Sequence, residues 1–264
     1  MIISLLSGKG GTGKTTVSAN LAYAASRLTA RRVILVGADP ASRSVEFLIE
    51  GRDLPEYGWI EYLTTPEMHF EEIVVQSSLA GNLFVAYSSR ERILHGEFAD
   101  PNLVAEKISR FKGYIARTGD VVIIDCPAGL AVDHLLYALL FDSYVVTTPS
   151  SADLAGSKNF VFTIEREAAQ YGITKPFKGV VVNMVRGRGE AEAVAEELAL
   201  KLIAALPASP EVEKATARRQ LIAKAYPRSS FTQAIHELVS KLGLGERHTK
   251  KRSLLDTILS LGRR

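Results

Sequence analysis

A chain of 264 residues, 47% hydrophobic and 23% charged, has the balance of a globular protein and enough length for a sizeable core, which argues against a disordered chain. Its formal net charge of +3 is too weak to argue by itself for nucleic acid or anionic lipid. The single cysteine, Cys126, excludes an internal disulfide and a Cys-x-x-Cys metal site, and it fits a reducing cytoplasm.

The opening "MIISLLS" is too short for a secretory leader and runs straight into a glycine-rich loop. Strands are expected at 2–6, 32–36, 82–86, 120–125, 143–148, 178–183 and 201–206, all apolar on both faces, as strands covered by helices on each side should be. Helical patterns fall between them at about 14–28, 101–117, 131–141, 152–171 and 190–200. This alternation predicts an α/β fold with a doubly wound, mostly parallel sheet. Residues 45–80 carry no clear period and read as a small irregular insertion, with Tyr57 and Trp59 as surface packing. The longest apolar run, 135–141, is far below the roughly 18 residues a spanning helix needs, so no transmembrane helix is expected. Terminal helices are expected over 211–243. The expected organisation is one domain over 1–245 and a charged tail over 246–264.

The stretch "SGKGGTGKTT" has the Gly-x-x-x-x-Gly-Lys-Thr spacing, from Gly8 through Gly10, Gly11 and Gly13 to Lys14 and Thr15, between a strand and a helix. Such a loop turns backbone amides inward around a polyphosphate, and the helix N-terminus adds its positive end. Lys14 is expected at the β/γ-phosphates and the Thr15 hydroxyl at Mg²⁺. Ligands of such sheets sit at the carboxyl ends of the strands. Asp125, closing "DVVIID", is therefore a candidate for the magnesium shell. Asp39, after "VILVGA", is a candidate both for the metal site and to orient or deprotonate the attacking water. Asn183, closing "GVVVN", is placed to hydrogen-bond adenine.

These residues resemble the MinD/ParA ATPases. "KGGTGKT" matches that family's deviant phosphate loop, and "ADP" (38–40), "IIDCPAGL" (123–130), "VVVN" (180–183) and "LPASPEV" (206–212) follow in order. The "PAGL" after Asp125 looks more like MinD than ParA, and the pattern as a whole most resembles archaeal MinD-like proteins. The resemblance implies a P-loop NTPase fold of the SIMIBI type, with ATP and Mg²⁺ as cofactors. It places Thr12, Thr16 and Pro207 in the nucleotide site beside the residues above. It also implies that Lys9, the second lysine of the loop, reaches the phosphates bound by a partner subunit in an ATP-dependent homodimer. A cation supplied in trans stabilises the transferring phosphoryl group as an arginine finger does. Several positions depart from the family pattern: Gly37 where an aspartate is common, Arg43-Ser44, Pro149-Ser150 and Pro207-Ala208-Ser209. A slow ATPase with an unknown activating protein is therefore expected.

The tail "KKRSLLDTILSLGRR" places Leu254, Leu255, Ile258, Leu259 and Leu261 on one helical face between basic flanks. This predicts a short helix at a membrane interface and resembles the family's membrane-targeting helix, giving a cytoplasmic protein with peripheral membrane association. The alternative is docking of these leucines on protein. The run 214–224, with Lys214, Arg218, Arg219 and Lys224, offers a second alternative, a ParA-like partition ATPase that uses DNA as its surface. A third alternative, a ligase or kinase on the same loop, needs an acceptor pocket that the sequence does not reveal. Cys126 reads as a small buried side chain, and the five histidines lack metal-ligand spacing.

Overall fold

The computed structural model describes residues 1–39, 45, 55–88, 100–130 and 132–245. The tail face from Leu254 to Leu261 and the pair Arg43-Ser44 lie outside the described residues. In chain order the strands are β1 (Ile2–Ser7), β2 (Val33–Gly37), β3 (Val75–Gln76), β4 (Leu83–Ala86), β5 (Val121–Ala128), β6 (Asp142–Thr147), β7 (Phe177–Val185) and β8 (Leu202–Pro207). They make one sheet in the order β3-β4-β2-β5-β1-β6-β7-β8. Every neighbouring pair is parallel except β3 with β4.

The helices are α1 (Lys14–Leu28), α2 (Trp59–Thr64), α3 (Pro101–Thr118), α4 (Val132–Leu140), α5 (Ser151–Gln170), α6 (Arg188–Glu197), α7 (Pro210–Ala217), α8 (Ile222–Ala225) and α9 (Ser230–Lys241). Local chemistry sets several ends. Asp100 accepts the Asn102 amide ahead of Pro101 in the first turn of α3, and Gly119 closes that helix at φ 74°. Ser150 and Ser229 cap α5 and α9 through their hydroxyls.

Apolar residues divide by strand alternation into two cores, one on each face of the sheet. Val33, Leu35, Val121 and Ile123 join Leu21, Phe231 and Leu238 from α1 and α9. Ile34, Val36, Val122 and Ile124 join Ile108, Phe111, Phe160 and Val194 from α3, α5 and α6. Strands buried on both faces by period-two alternation require this arrangement.

Two expectations need correction. Residues 55–80 are ordered structure: α2, a 3₁₀ turn at Phe70–Ile73 and the edge strand β3. Trp59 is wholly buried rather than at the surface. Its ring meets Phe111 at 5.2 Å and Phe70 at 6.2 Å, both edge-on, and its indole N–H donates to the Tyr137 hydroxyl at 2.9 Å. Edge-to-face packing with the polar tip satisfied is how a tryptophan becomes a core residue. Each aromatic partner comes from a separate element, so no local period announces it.

β1 lies at the centre, with β5 on one side and β6 on the other. From β1 the chain first winds outward through β2 and β4, returns to β5, then crosses to β6. The reversal opens a crevice beyond the carboxyl ends of these strands, where the loop after β1 sits.

Candidate nucleotide site

The loop leaves β1 at Ser7 and enters α1 at Lys14. Gly13 caps α1 with φ 80° and ψ 18°, a left-handed conformation costly to any other residue, and no side chain caps the helix. The first turn also lacks an acidic residue. Its amides therefore face the crevice without an internal anion, as a phosphate site requires. A Cβ on Gly13 would come within 2.3 Å of the Asn183 amide nitrogen. Gly13→Ala should cost about 1–3 kcal/mol from backbone strain and displace Asn183. A urea midpoint unchanged from that of the wild type would refute this.

Gly8 has a different reason to be glycine. A Cβ there would lie 2.6 Å from the Gly156 carbonyl oxygen and 2.7 Å from the Phe160 Cβ, so the loop presses on α5.

The two lysines of the loop diverge. Lys14 is buried, and its Nζ donates to Asp125 Oδ1 at 3.0 Å. Asp125 also accepts the Thr15 hydroxyl on Oδ2 at 2.6 Å. Ser18, one helical turn beyond Lys14, places its hydroxyl 3.0 Å from Asp125 Oδ1 and 2.9 Å from the Lys14 carbonyl oxygen. Its single proton can serve only one of them at a time. Lys9 instead lies at the surface, its side chain 50% exposed, with Nζ 3.5 Å from Asp153 Oδ1. Burial works to raise the Asp153 carboxyl. Hydrogen bonds from Thr148 and Ser150 and the charge of Lys9 outweigh burial and hold the group below the ordinary carboxylate value. The Thr148 hydroxyl donates to Asp153 Oδ2 at 2.6 Å.

Asp39 follows β2 at the same edge. Gly37 stands in register with Asp125, and the Ala38 amide donates to the Asp125 carbonyl at 2.9 Å. Asn183, buried in β7, donates its amide to the Thr12 carbonyl at 2.9 Å and so braces the loop from behind. Pro207 closes β8 in register with Val185. The residues present fit Mg²⁺ with a polyphosphate. Thr15 and Asp125 supply adjacent hard oxygens at the head of α1, and a magnesium site of this kind takes its other ligands from phosphate and water.

Residues 3–222 match the family model of the CobQ/CobB/MinD/ParA nucleotide binding domain. The chain belongs to this family. An uncharacterized ATP-binding protein of Methanocaldococcus jannaschii is 26% identical over 246 residues, covering 91% of this chain and 86% of that protein. The septum site-determining protein MinD of Thermotoga maritima is 27% identical over 224 residues, covering 80% of this chain and 76% of its own. Among solved structures, the MinD of Pyrococcus horikoshii complexed with Mg-ADP superposes with a TM-score of 0.72 at 24% identity, covering 97% of this chain and 98% of that one.

Two departures from the MinD/ParA pattern have local causes. A Cβ on Gly37 would fall 2.6 Å from the Val45 Cγ2, so a larger residue would collide with a buried valine. Ser150 is the N-cap of α5 and accepts the Asp153 amide at 3.2 Å, a task a serine hydroxyl performs well.

Sequence reasoning missed Ser18, Asp153, Leu130 and Met184. Ser18 was detectable, because position i+4 from Lys14 on a helix shares its face. Leu130 and Met184 are exposed apolar side chains, and Met184 holds φ 59° next to Asn183. The Met184 Cε lies 3.4 Å from where a Gly13 Cβ would stand, so this apolar group rims the phosphate loop. Within the run 214–224, Arg218, Arg219 and Lys224 line one cavity between α7 and α8, and Lys214 is exposed on α7.

Proposed function

We propose that this chain is a MinD-type ATPase that binds Mg-ATP in the loop 8–16, dimerises around it and hydrolyses it slowly. Its tail from 246 would attach the ATP-bound dimer to a membrane surface, making a positional switch for other cellular machinery such as that of division or the pole. The observation that carries the reading is the split between the two lysines. Lys14 lies buried on Asp125 inside its own site, while Lys9 of the same loop stands at the surface, where a second copy can reach it. The exposed Met184, whose Cε lies beside Gly13, gives such a face an apolar group to bury.

In this reading Gly10, Gly11, Thr12, Gly13 and Thr16 cradle the phosphates with their backbone, and Thr15 and Asp125 hold magnesium. Bound there, the metal would neutralise charge on the β- and γ-phosphates. Asp39, at the mouth of β2, orients the attacking water and lies near the metal. Asn183 and Pro207 flank the adenine. Lys9 adds its charge to the partner's phosphates.

Membrane attachment follows from avidity. A single helix of about 11 residues is marginal in water, and two linked through a dimer gain about 10²-fold or more. Among the described residues no helix is long and apolar enough to cross a membrane.

The test is sedimentation with anionic liposomes of the full chain and of a chain lacking 250–264, each with ADP or a non-hydrolysable ATP analogue. Only the full chain with the analogue should pellet, while both chains retain ATPase activity. Undiminished pelleting without the tail would overturn membrane attachment through it. Analogue-dependent retention on DNA in place of liposomes would favour a partition-type ATPase.

A further inference from the structure

Helix α7 ends in a Schellman motif. The Arg219 amide donates to the Thr216 carbonyl at 3.0 Å and the Gln220 amide to the Ala215 carbonyl at 2.9 Å. The residue at the left-handed position of this motif is usually glycine, which takes it without steric cost. Here it is Arg219, at φ 52°. The helix terminus does not need this cation, because Lys214 already stands in the last turn. Helix α6 ends in the same way with Ala199 at φ 52°, so the left-handed cap alone assigns nothing, and a task for the Arg219 side chain is read from what it lines.

The surroundings indicate that task. Arg218, Arg219 and Lys224 are all exposed and line one cavity of about 580 Å³ between α7 and α8, beside the loop that joins β3 to β4. None of the three forms an ion pair with a described residue. Leu79 and the half-buried Tyr226 supply apolar and aromatic wall. The cavity has the size of small-molecule sites, and it shares no residue with the phosphate loop. Two guanidinium forks and an ammonium around an aromatic ring match phosphate oxygens joined to a planar or apolar body.

We propose that this cavity is a second, separate anion site for a small molecule carrying two or more phosphates, such as a nucleotide. Its size favours a small ligand over a nucleic-acid strand, which needs a continuous track of cations along its backbone.

The test uses the full chain carrying Lys14→Ala, which silences the phosphate loop, titrated calorimetrically with inorganic pyrophosphate in magnesium-free, low-salt buffer. One saturable site is expected. Adding Arg219→Gly should weaken it about tenfold, since one charge-assisted fork is lost, while Tm stays level or rises as the backbone strain is relieved. Arg218→Ala with Lys224→Ala should weaken it at least as much. If Lys14→Ala does not fold, wild-type chain is titrated directly with pyrophosphate: two saturable sites are expected, and the same substitutions should weaken one of them while leaving the other unchanged. No saturable binding, or binding unchanged by all three substitutions, overturns the site. Random-sequence duplex DNA and phosphatidylserine vesicles form two further arms. Arg219-dependent binding of either, with pyrophosphate inert, overturns the small-molecule assignment.

Discussion

Replacing Lys9 by alanine should abolish the analogue-induced dimer and lower ATP turnover by about 10³-fold or more, the scale lost when a cation supplied in trans is removed. Nucleotide affinity of the monomer should change little, because Lys9 lies half exposed on Asp153 and outside the Lys14–Asp125 cluster. Stability should also hold. An exposed ion pair contributes about 0–1 kcal/mol, so the melting temperature should shift by no more than a few degrees. Light scattering with and without the analogue reads the dimer, and a fluorescent nucleotide reads the monomer. Dimers that survive the substitution would assign Lys9 to its own site. Asp153→Asn separates the lysine's present neighbour from its proposed role: it removes the surface pair and should leave dimerisation intact.

Asp125→Ala should be the most damaging single change to the site. It leaves Lys14 buried without its counter-charge and removes the acceptor of the Thr15 and Ser18 hydroxyls. Breaking a buried pair from one side costs about 3–5 kcal/mol, which for a chain of this length lowers Tm by roughly 10 °C. Thermal melts in chelator measure that loss directly. Mg-ADP should stabilise the wild type by about 2.7 kcal/mol at a hundredfold excess over Kd and the variant hardly at all. Asp125→Asn keeps an acceptor for the hydroxyls and should retain more of the fold while losing the response to magnesium. An Asp125→Ala melt identical to the wild type would mean that the cluster does not bear on stability.

Much of the architecture was legible because it is encoded locally. The five helices predicted between strands fall within three residues of those observed, α1 from Lys14 to Leu28 with both ends matched. The β-rich runs alternate inward and outward along each strand, so both cores follow from period two. The segment from 55 to 80 resisted the same reading. Trp59, Tyr62 and Phe70 are buried by partners in α3 and α4, and a two-residue edge strand is too short to show a pattern.

The phosphate loop and its strand–helix setting could be read from spacing alone, because turn chemistry and helix initiation act within a few residues of one another. That Lys14 pairs with Asp125 could not, since the two meet across 111 positions of sequence. Nor could the brace from Asn183 to Thr12, 171 positions apart, or the need for Gly8 to clear α5. Sequence by itself determined where a phosphate-binding pattern stands, in the loop that follows β1. Tertiary structure decided which side chains surround it, because only the folded sheet brings those distant strand ends within hydrogen-bonding distance.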